Sequence, residues 1–453
     1  MSDWALMLCL NSAASTILAI ALLHKRWLLL KPSIAFAGYY QISVMWPGLF
    51  WLDYITETVP KVREYIWAMH GTGLAITVVA VLAWRHLTNR LARRLQQKAP
   101  HAEAAYRKVS LLVLGGFVAG VTLWYIGTLG WRNTGLNAIL AGLEDNVQAR
   151  ENAMKLLGSR ALQYAWAFMA YAAAYLLAYW LIFSAIDLAR TRRWLSSLLY
   201  LVAFSLLLIV VALPGARGPV AMIVLATLAA LYVRSGFRIG SIRVAVIVAV
   251  TLVLPAMLTL WRNGESFILG TFSTYYVDIL DRVAGRSVQD NIWMVSYVQS
   301  EGFIGPGGIP LLARLMGIEP LNVFNNVGLY FRPDGLESIS ANSSSIAVNY
   351  GCFGLAGSLV LSLALTLGMD VMLLLYSRLP VALLAPCAGI CAVISMNFAM
   401  TTFSTVFVTH GLLPTIALCY AVHFVATQVL HRPVSPATAP PAPATGRVSP
   451  PAT

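Results

Sequence analysis

Apolar residues fill this chain in long blocks rather than at alternating positions, and the blocks recur at the length of a bilayer crossing. Windows of ~17–25 apolar residues, the run a helix needs to span the hydrocarbon core, lie near 4–23, 33–52, 66–84, 109–129, 161–186, 195–213, 218–233, 243–260, 343–366, 381–400 and 406–427. The pattern predicts about eleven transmembrane helices. Only Thr401-Thr402-Phe403-Ser404 separates the last two, so a count of about ten to twelve fits the same pattern. One stretch breaks the rule. Residues 261–342 hold no block of that length, and Pro306, Pro310, Pro320 and Pro333 cut the segment into turns.

Composition turns the pattern into a class. The chain is 59% hydrophobic and 11% charged, with a mean hydropathy of +0.73. A soluble protein cannot hide that much apolar surface, so the sequence is that of an all-α polytopic membrane protein. The formal net charge of +13 gathers in alternate loops: Lys25-Arg26, Arg85 to Lys108, Arg190 to Arg193, Arg234 to Arg243, Arg378, and finally Arg432 and Arg447. Glu103 and Asp187 are the acids beside them. Basic loops stay in the cytoplasm during insertion, so the N-terminus is expected outside, the C-terminus inside, and residues 261–342 on the outer face. The charge is thus a topology signal, with no footprint for nucleic acid.

Three smaller readings complete the organisation. Residues 1–260 hold helices one to eight, and the first block lacks a basic leader, which makes it a retained span rather than a cleaved signal. Residues 85–108 read as a cytoplasmic amphipathic helix ended near Pro100, whose charge suits anionic membrane lipids, and 130–160 as an outer loop with a surface helix. Residues 343–432 hold the last three helices, and the Pro/Ala/Thr-rich 433–453 are expected to be a disordered cytoplasmic tail. All five cysteines fall inside apolar blocks, where packing is the plain reading. Asp370 lies within a block and is expected near its cytoplasmic end, in reach of water or a basic loop.

The outer segment 261–342 is where chemistry is expected. It holds Arg262, Arg282, Arg286, Arg314 and Arg332, no lysine, and carboxylates from Glu265 to Glu337. The spacing predicts short helices over 272–281 and 291–298, lying on the outer face as a lid over a cavity. Arg282 and Arg286 are one helical turn apart and can face one anion, although Asp278 stands four residues before Arg282 and can equally pair with it. The run Gly302-Phe303-Ile304-Gly305-Pro306-Gly307-Gly308 gives backbone N–H groups close access to a ligand.

Two other stretches flank this one. In Leu213-Pro214-Gly215-Ala216-Arg217-Gly218-Pro219, Arg217 stands at the start of a span. There it is either a pyrophosphate cradle with the helix dipole behind it or an arginine reaching for headgroups. Tyr350 to Gly357 carries glycines at 351, 354 and 357, a spacing suited to close helix packing.

Together these stretches resemble the integral-membrane O-antigen polymerase and ligase superfamily, and within it the Wzy-type oligosaccharide-repeat-unit polymerases. Ala216-Arg217-Gly218 matches its surfacing Ser-Arg-Gly-like turn. Arg286, Trp293 and Gly305-Pro306-Gly307 follow the order of arginine, tryptophan and Gly-x-Gly in its large outer loop, and Phe353-Gly354-Leu355-Ala356-Gly357 matches the start of its next helix. The match covers roughly 214–357. Ligases of the superfamily typically carry a His-Asn pair shortly before those glycines; here the place holds Asn342-Ser343, and 261–342 contains no histidine. That departure favours polymerase over ligase.

The resemblance implies a GT-C-like fold and a metal-independent glycosyltransferase without cofactor, working at the outer face of the bacterial inner membrane. It would move a growing glycan from undecaprenyl pyrophosphate onto a new lipid-linked repeat unit, with a chain-length regulator protein as a candidate partner. Arg217, Arg286, Arg282, Arg262 and Arg332 would hold the pyrophosphate. Glu337, then Asp290 and Asp278, are the candidate bases for the acceptor hydroxyl. Trp293, Gly305, Gly307 and Asn342 would contact substrate. A ligase-like transferase or a flippase of lipid-linked oligosaccharide are the alternatives. A flippase needs charge along the middle of its spans, whereas nearly all charge here falls in the loops.

Overall fold

The computed structural model describes residues 1–96, 100–140, 152–153, 156–215, 218–237, 273, 277, 281, 285–333, 341–402, 405–409 and 411–430. Among these residues every regular element is helical, as a chain of unbroken apolar blocks requires: in lipid a helix satisfies its own backbone hydrogen bonds. Eight helices are long and apolar enough to cross a membrane by length and composition, namely Asp3–His24 (α1), Val62–Leu82, Glu103–Leu129, Arg160–Arg190, Trp194–Ala212, Ser345–Tyr376, Val381–Ala399 and Thr405–Gln428. A ninth apolar helix, Gly218–Arg234, is shorter. The block at 243–260, the segment 433–453 and most of 261–284 lie outside the described residues.

The block at 33–52 is helical but not uniform. Helix α2 (Pro32–Tyr40) passes through a π-helical turn, Gln41–Met45, before Trp46–Phe50 continues it. The span Val62–Leu82 (α3) has a matching π turn at Trp67–Gly71. Such turns free backbone groups from the helical ladder, and polar side chains take them up. Asn11 of α1 donates to the Met45 carbonyl at 2.7 Å and meets His70 Nδ1 at 2.8 Å. Gln41 donates to Thr77 at 3.1 Å and accepts from Ser15 at 2.9 Å. Asn11 and His70 are fully buried, so this polar knot lies inside the helical packing.

The two ends of the bundle differ chemically. At one end, Lys31 and Asp370 pair at 2.9 Å with both side chains at 0% exposure, and the Lys31 ammonium also donates to the carbonyls of Ala80 and Ala83. Of the two surroundings expected for Asp370, water or a basic partner, the structure supplies the second and shuts out solvent. Arg107 pairs with Asp187 at 2.8 Å, Arg234 pairs with Glu103, and Arg94 donates to the carbonyls of Ser377 and Leu379. Helix α4 (Arg85–Leu95), the expected amphipathic segment, supplies Arg94 and stops before the helix that begins at Pro100. At the other end lie Asp3 and Arg63, the start of α3, and the helix Arg286–Glu301 (α5).

The block expected to be one span over 343–366 is bent double. A straight 32-residue helix Ser345–Tyr376 (α6) would run ~48 Å, well beyond a ~30 Å hydrocarbon core. Gly354 interrupts it at φ 71° and ψ −163°, a conformation open essentially to glycine alone. Asn349 donates to Ser362 at 3.0 Å across 13 residues, which straight helix would hold ~20 Å apart. Ser358 likewise reaches the Ile346 carbonyl at 3.3 Å. Residues 345–353 thus fold back on 355–376, and only the second arm has the exposed apolar face of a span.

Candidate active site

Helix α5 organises the site. The sequence predicted a helix over 291–298; the structure extends it to Arg286–Glu301. The extension matters because it puts Arg286, Asp290, Trp293, Tyr297 and Glu301 at spacings of three and four, which is one helix face. The adjoining face carries Asn291, Met294 and Val298, which are buried, with Met294 and Val298 against Gly351 in the folded-back arm of α6. Ser296 donates to the Thr58 carbonyl at 2.7 Å, and Gln299 bridges to Lys61 and Tyr350.

Asn291 joins α5 to the start of α6. Its carboxamide oxygen accepts from both the backbone N–H and the hydroxyl of Ser344, at 2.9 and 2.8 Å, and Ser344 in turn caps α6 through the Ala347 N–H. Ser343 donates to the Asp290 carbonyl at 2.7 Å. These bonds draw residues 341–344 alongside the second turn of α5 and place the Asn342 backbone N–H on the Asp290 carboxylate.

Asp290 is half-buried. Burial pushes its carboxyl up to about 6, against the opposing pull of the Asn342 N–H and the Arg286 and Arg332 guanidinia. Arg286 precedes it by one helical turn and is exposed; Arg332 arrives at the end of helix Val323–Phe331 and is also exposed. Among the described residues neither arginine closes on the carboxylate as an ion pair. An aromatic stack positions Arg332. Trp293 is only 6% exposed, lies parallel to Phe331 at 5.2 Å and 6°, and has the Arg332 guanidinium 5.1 Å from its ring centre. Trp293 donates its indole N–H to the Tyr54 hydroxyl at 2.9 Å, and Tyr54 meets Trp51 edge-on at 5.5 Å.

The structure thus brings together Asp290, Arg286, Arg332, Trp293 and Asn342. Glu337, Asp278, Arg217, Arg282 and Arg262 lie outside the described residues. Gly305 and Gly307 belong elsewhere: they follow the far end of α5, with ~16 Å of helix between Asp290 and Glu301. Their surroundings show why. Gly302 and Gly305 take φ +96° and +72° to reverse the chain, and Gly307 accepts from the Leu321 N–H at 2.9 Å. A Cβ on Gly308 would sit 2.6 Å from the Cys352 sulfur, Ile304 donates to the Gly351 carbonyl at 2.9 Å, and the Phe303 ring covers Gly354. The glycine run docks onto the bend in α6. Gly351 does serve close packing, as its spacing suggested, whereas Gly354 makes the bend itself.

Tyr54, Trp51 and Ser344 were not legible as site residues. Nothing in their local sequence sets them apart, and only the packing of 51–58 and 341–344 against α5 reveals them.

This arrangement has a definite chemical capacity. A carboxylate of pKa near 6 is ionised at neutral pH yet more basic than an ordinary aspartate, which suits a general base. Two exposed guanidinia within its field offer planar donor forks to a phosphate or pyrophosphate. Among the described residues no group of three His, Cys, Asp or Glu side chains could hold a metal ion. No protein-family model, curated protein or solved structure matches the chain.

Proposed function

We propose that the chain is a polysaccharide polymerase of the bacterial inner membrane, with about eleven spans, a GT-C-like fold, an outward N-terminus and a cytoplasmic C-terminus. The acceptor hydroxyl of a lipid-linked repeat unit attacks the anomeric carbon of the growing glycan. Its proton passes to Asp290, and the bond to undecaprenyl pyrophosphate breaks with its electron pair on the departing pyrophosphate. Arg286 and Arg332 neutralise the charge that develops there. The carrying observation is the convergence of Asp290, Arg286 and Arg332, with the Asp290 carboxyl raised to about 6. Glu337 and Arg217 remain part of the proposal as the second base and a further phosphate ligand.

The test is complementation of a deletion strain with Asp290→Asn and Arg286→Ala. The reading requires single-repeat glycan capped on lipid to accumulate; normal long-chain polymer from both variants would sink it. One observation favours a second reading, a flippase of the same lipid-linked oligosaccharide: His70 puts an ionisable group deep within the helices. Loss of all surface glycan, single repeats included, in the deletion strain would point to a flippase or a ligase instead.

A further inference from the structure

We propose a second, distal sugar-binding subsite at the C-terminal end of α5, which holds one ring of the oligosaccharide while Asp290 works on another. The inference rests on the polymerase reading and names how that site takes its substrate. A small cavity of about 170 Å³ opens there, lined by Tyr297, Glu301, Phe303, Asn326 and the apolar Leu321 and Val323. Pockets for drug-sized ligands run from ~300 Å³ upward, so this one suits a single ring.

Its lining has the chemistry of a sugar site. Phe303 at 59% exposure and the half-buried Tyr297 offer aromatic faces to the C–H side of a pyranose. Glu301 and Asn326 are exposed, and among the described residues neither side chain has a hydrogen-bond or ion-pair partner. A carboxylate that only accepts and an amide that both donates and accepts can read adjacent sugar hydroxyls. The cavity floor is firm: Phe303 is seated on the glycine bend of α6, and the Ile304 N–H is held by the Gly351 carbonyl.

Position connects this cavity to the reaction centre. Glu301 and Tyr297 share the helix face of Asp290 and Arg286, ~16 Å separating Asp290 from Glu301. Between them, Tyr330 packs edge-on to Tyr297 at 5.1 Å and remains 46% exposed, an aromatic step along the way. A ligand with several rings can reach both places; a single sugar cannot. The glycine run therefore builds a binding site, although not around the pyrophosphate.

The experiment uses full-length protein in nanodiscs and fragments released by mild acid from the host cell's own surface glycan, separated by length. Asn326→Leu and Glu301→Gln should each weaken binding of the longer fragments about ten-fold, the worth of one or two net hydrogen bonds. Both variants should still polymerise in cells, with shorter chains. Unchanged fragment affinity and unchanged chain length in both variants would overturn the subsite. If Arg286→Ala abolishes polymer while Asn326→Leu behaves as wild type, the polymerase reading stands and the subsite alone falls. If Arg286→Ala and Asp290→Asn both make normal polymer, the reading beneath the subsite fails, and the subsite with it. Thermal unfolding of each variant in the same nanodiscs serves as the folding control; a loss of fragment binding that tracks unfolding counts against the subsite.

Discussion

Two groups of arginines, one at each end of the bundle, are used in opposite ways. At the basic end, Arg107 and Arg234 each meet a carboxylate, Arg94 caps two carbonyls at the end of α6, and Lys31 is sealed against Asp370. At the other end, Arg286 and Arg332 stand exposed around a carboxylate that neither contacts as an ion pair. Both sets of charges are near helix ends, so local sequence does not separate them. Their surroundings do: a cation whose donors are consumed by the protein holds structure, and one whose donors face outward is available to an anionic ligand. The aromatic support of Arg332 strengthens the distinction, because the Trp293–Phe331 stack fixes the guanidinium without using its N–H donors.

This contrast is easiest to break at Asp290. Replacing it with Asn is expected to lower the polymerisation rate by about 10²–10⁴, the range for a general base, while thermal unfolding stays close to wild type. Near-wild-type turnover in membranes would remove Asp290 from the chemistry. The paired end should answer in stability rather than rate. Asp370→Ala leaves Lys31 charged and buried, which costs roughly 3–5 kcal/mol, and should appear as loss of folded protein in detergent melts. The double variant Lys31→Met/Asp370→Leu should recover most of it, since an apolar pair replaces a desolvated ionic one. Failure of that rescue would give the pair a role beyond holding α2, α3 and α6 together.

A pH profile sharpens the comparison without mutation. With the Asp290 carboxyl at about 6, its basic form is lost as pH falls, so the single-turnover rate should halve near that pH and level off above it. A midpoint at the usual carboxylate range of ~4 would mean that burial does not tune this group in the working protein. Smallest of all should be Arg107→Ala. Its partner Asp187 is 50% exposed, and such pairs are worth about 1 kcal/mol or less; a drop in polymerisation there would contradict the division between the ends.

Much of this molecule is legible in its letters because the bilayer is so demanding a solvent. Apolar blocks at Asp3–His24, Trp194–Ala212 and Val381–Ala399 emerge as helices close to where hydropathy puts them, since unpaired backbone is excluded from hydrocarbon. The break at 261–342 was equally plain; Arg286 was named from its spacing to Arg282, and Asp290 and Trp293 from what the family resemblance implies. What stayed hidden was apolar and distant. Residues 345–353 read as the start of a span, and only the φ of Gly354 and the Asn349–Ser362 bond show that they fold back. Hydropathy reports the tendency to leave water, not the direction taken inside.

The sequence by itself determined the helical class, the placement of most spans and the set of charged groups that can act, because those follow from composition and from runs within a single helix length. Tertiary structure alone decided which charges are consumed and which are free. Asp370 finds Lys31, Asp290 finds Arg332 and Asn342, and the glycine run finds the bend in α6. Each of these meetings joins residues far apart in the chain, and its free energy depends on burial and geometry that exist only once the helices have packed.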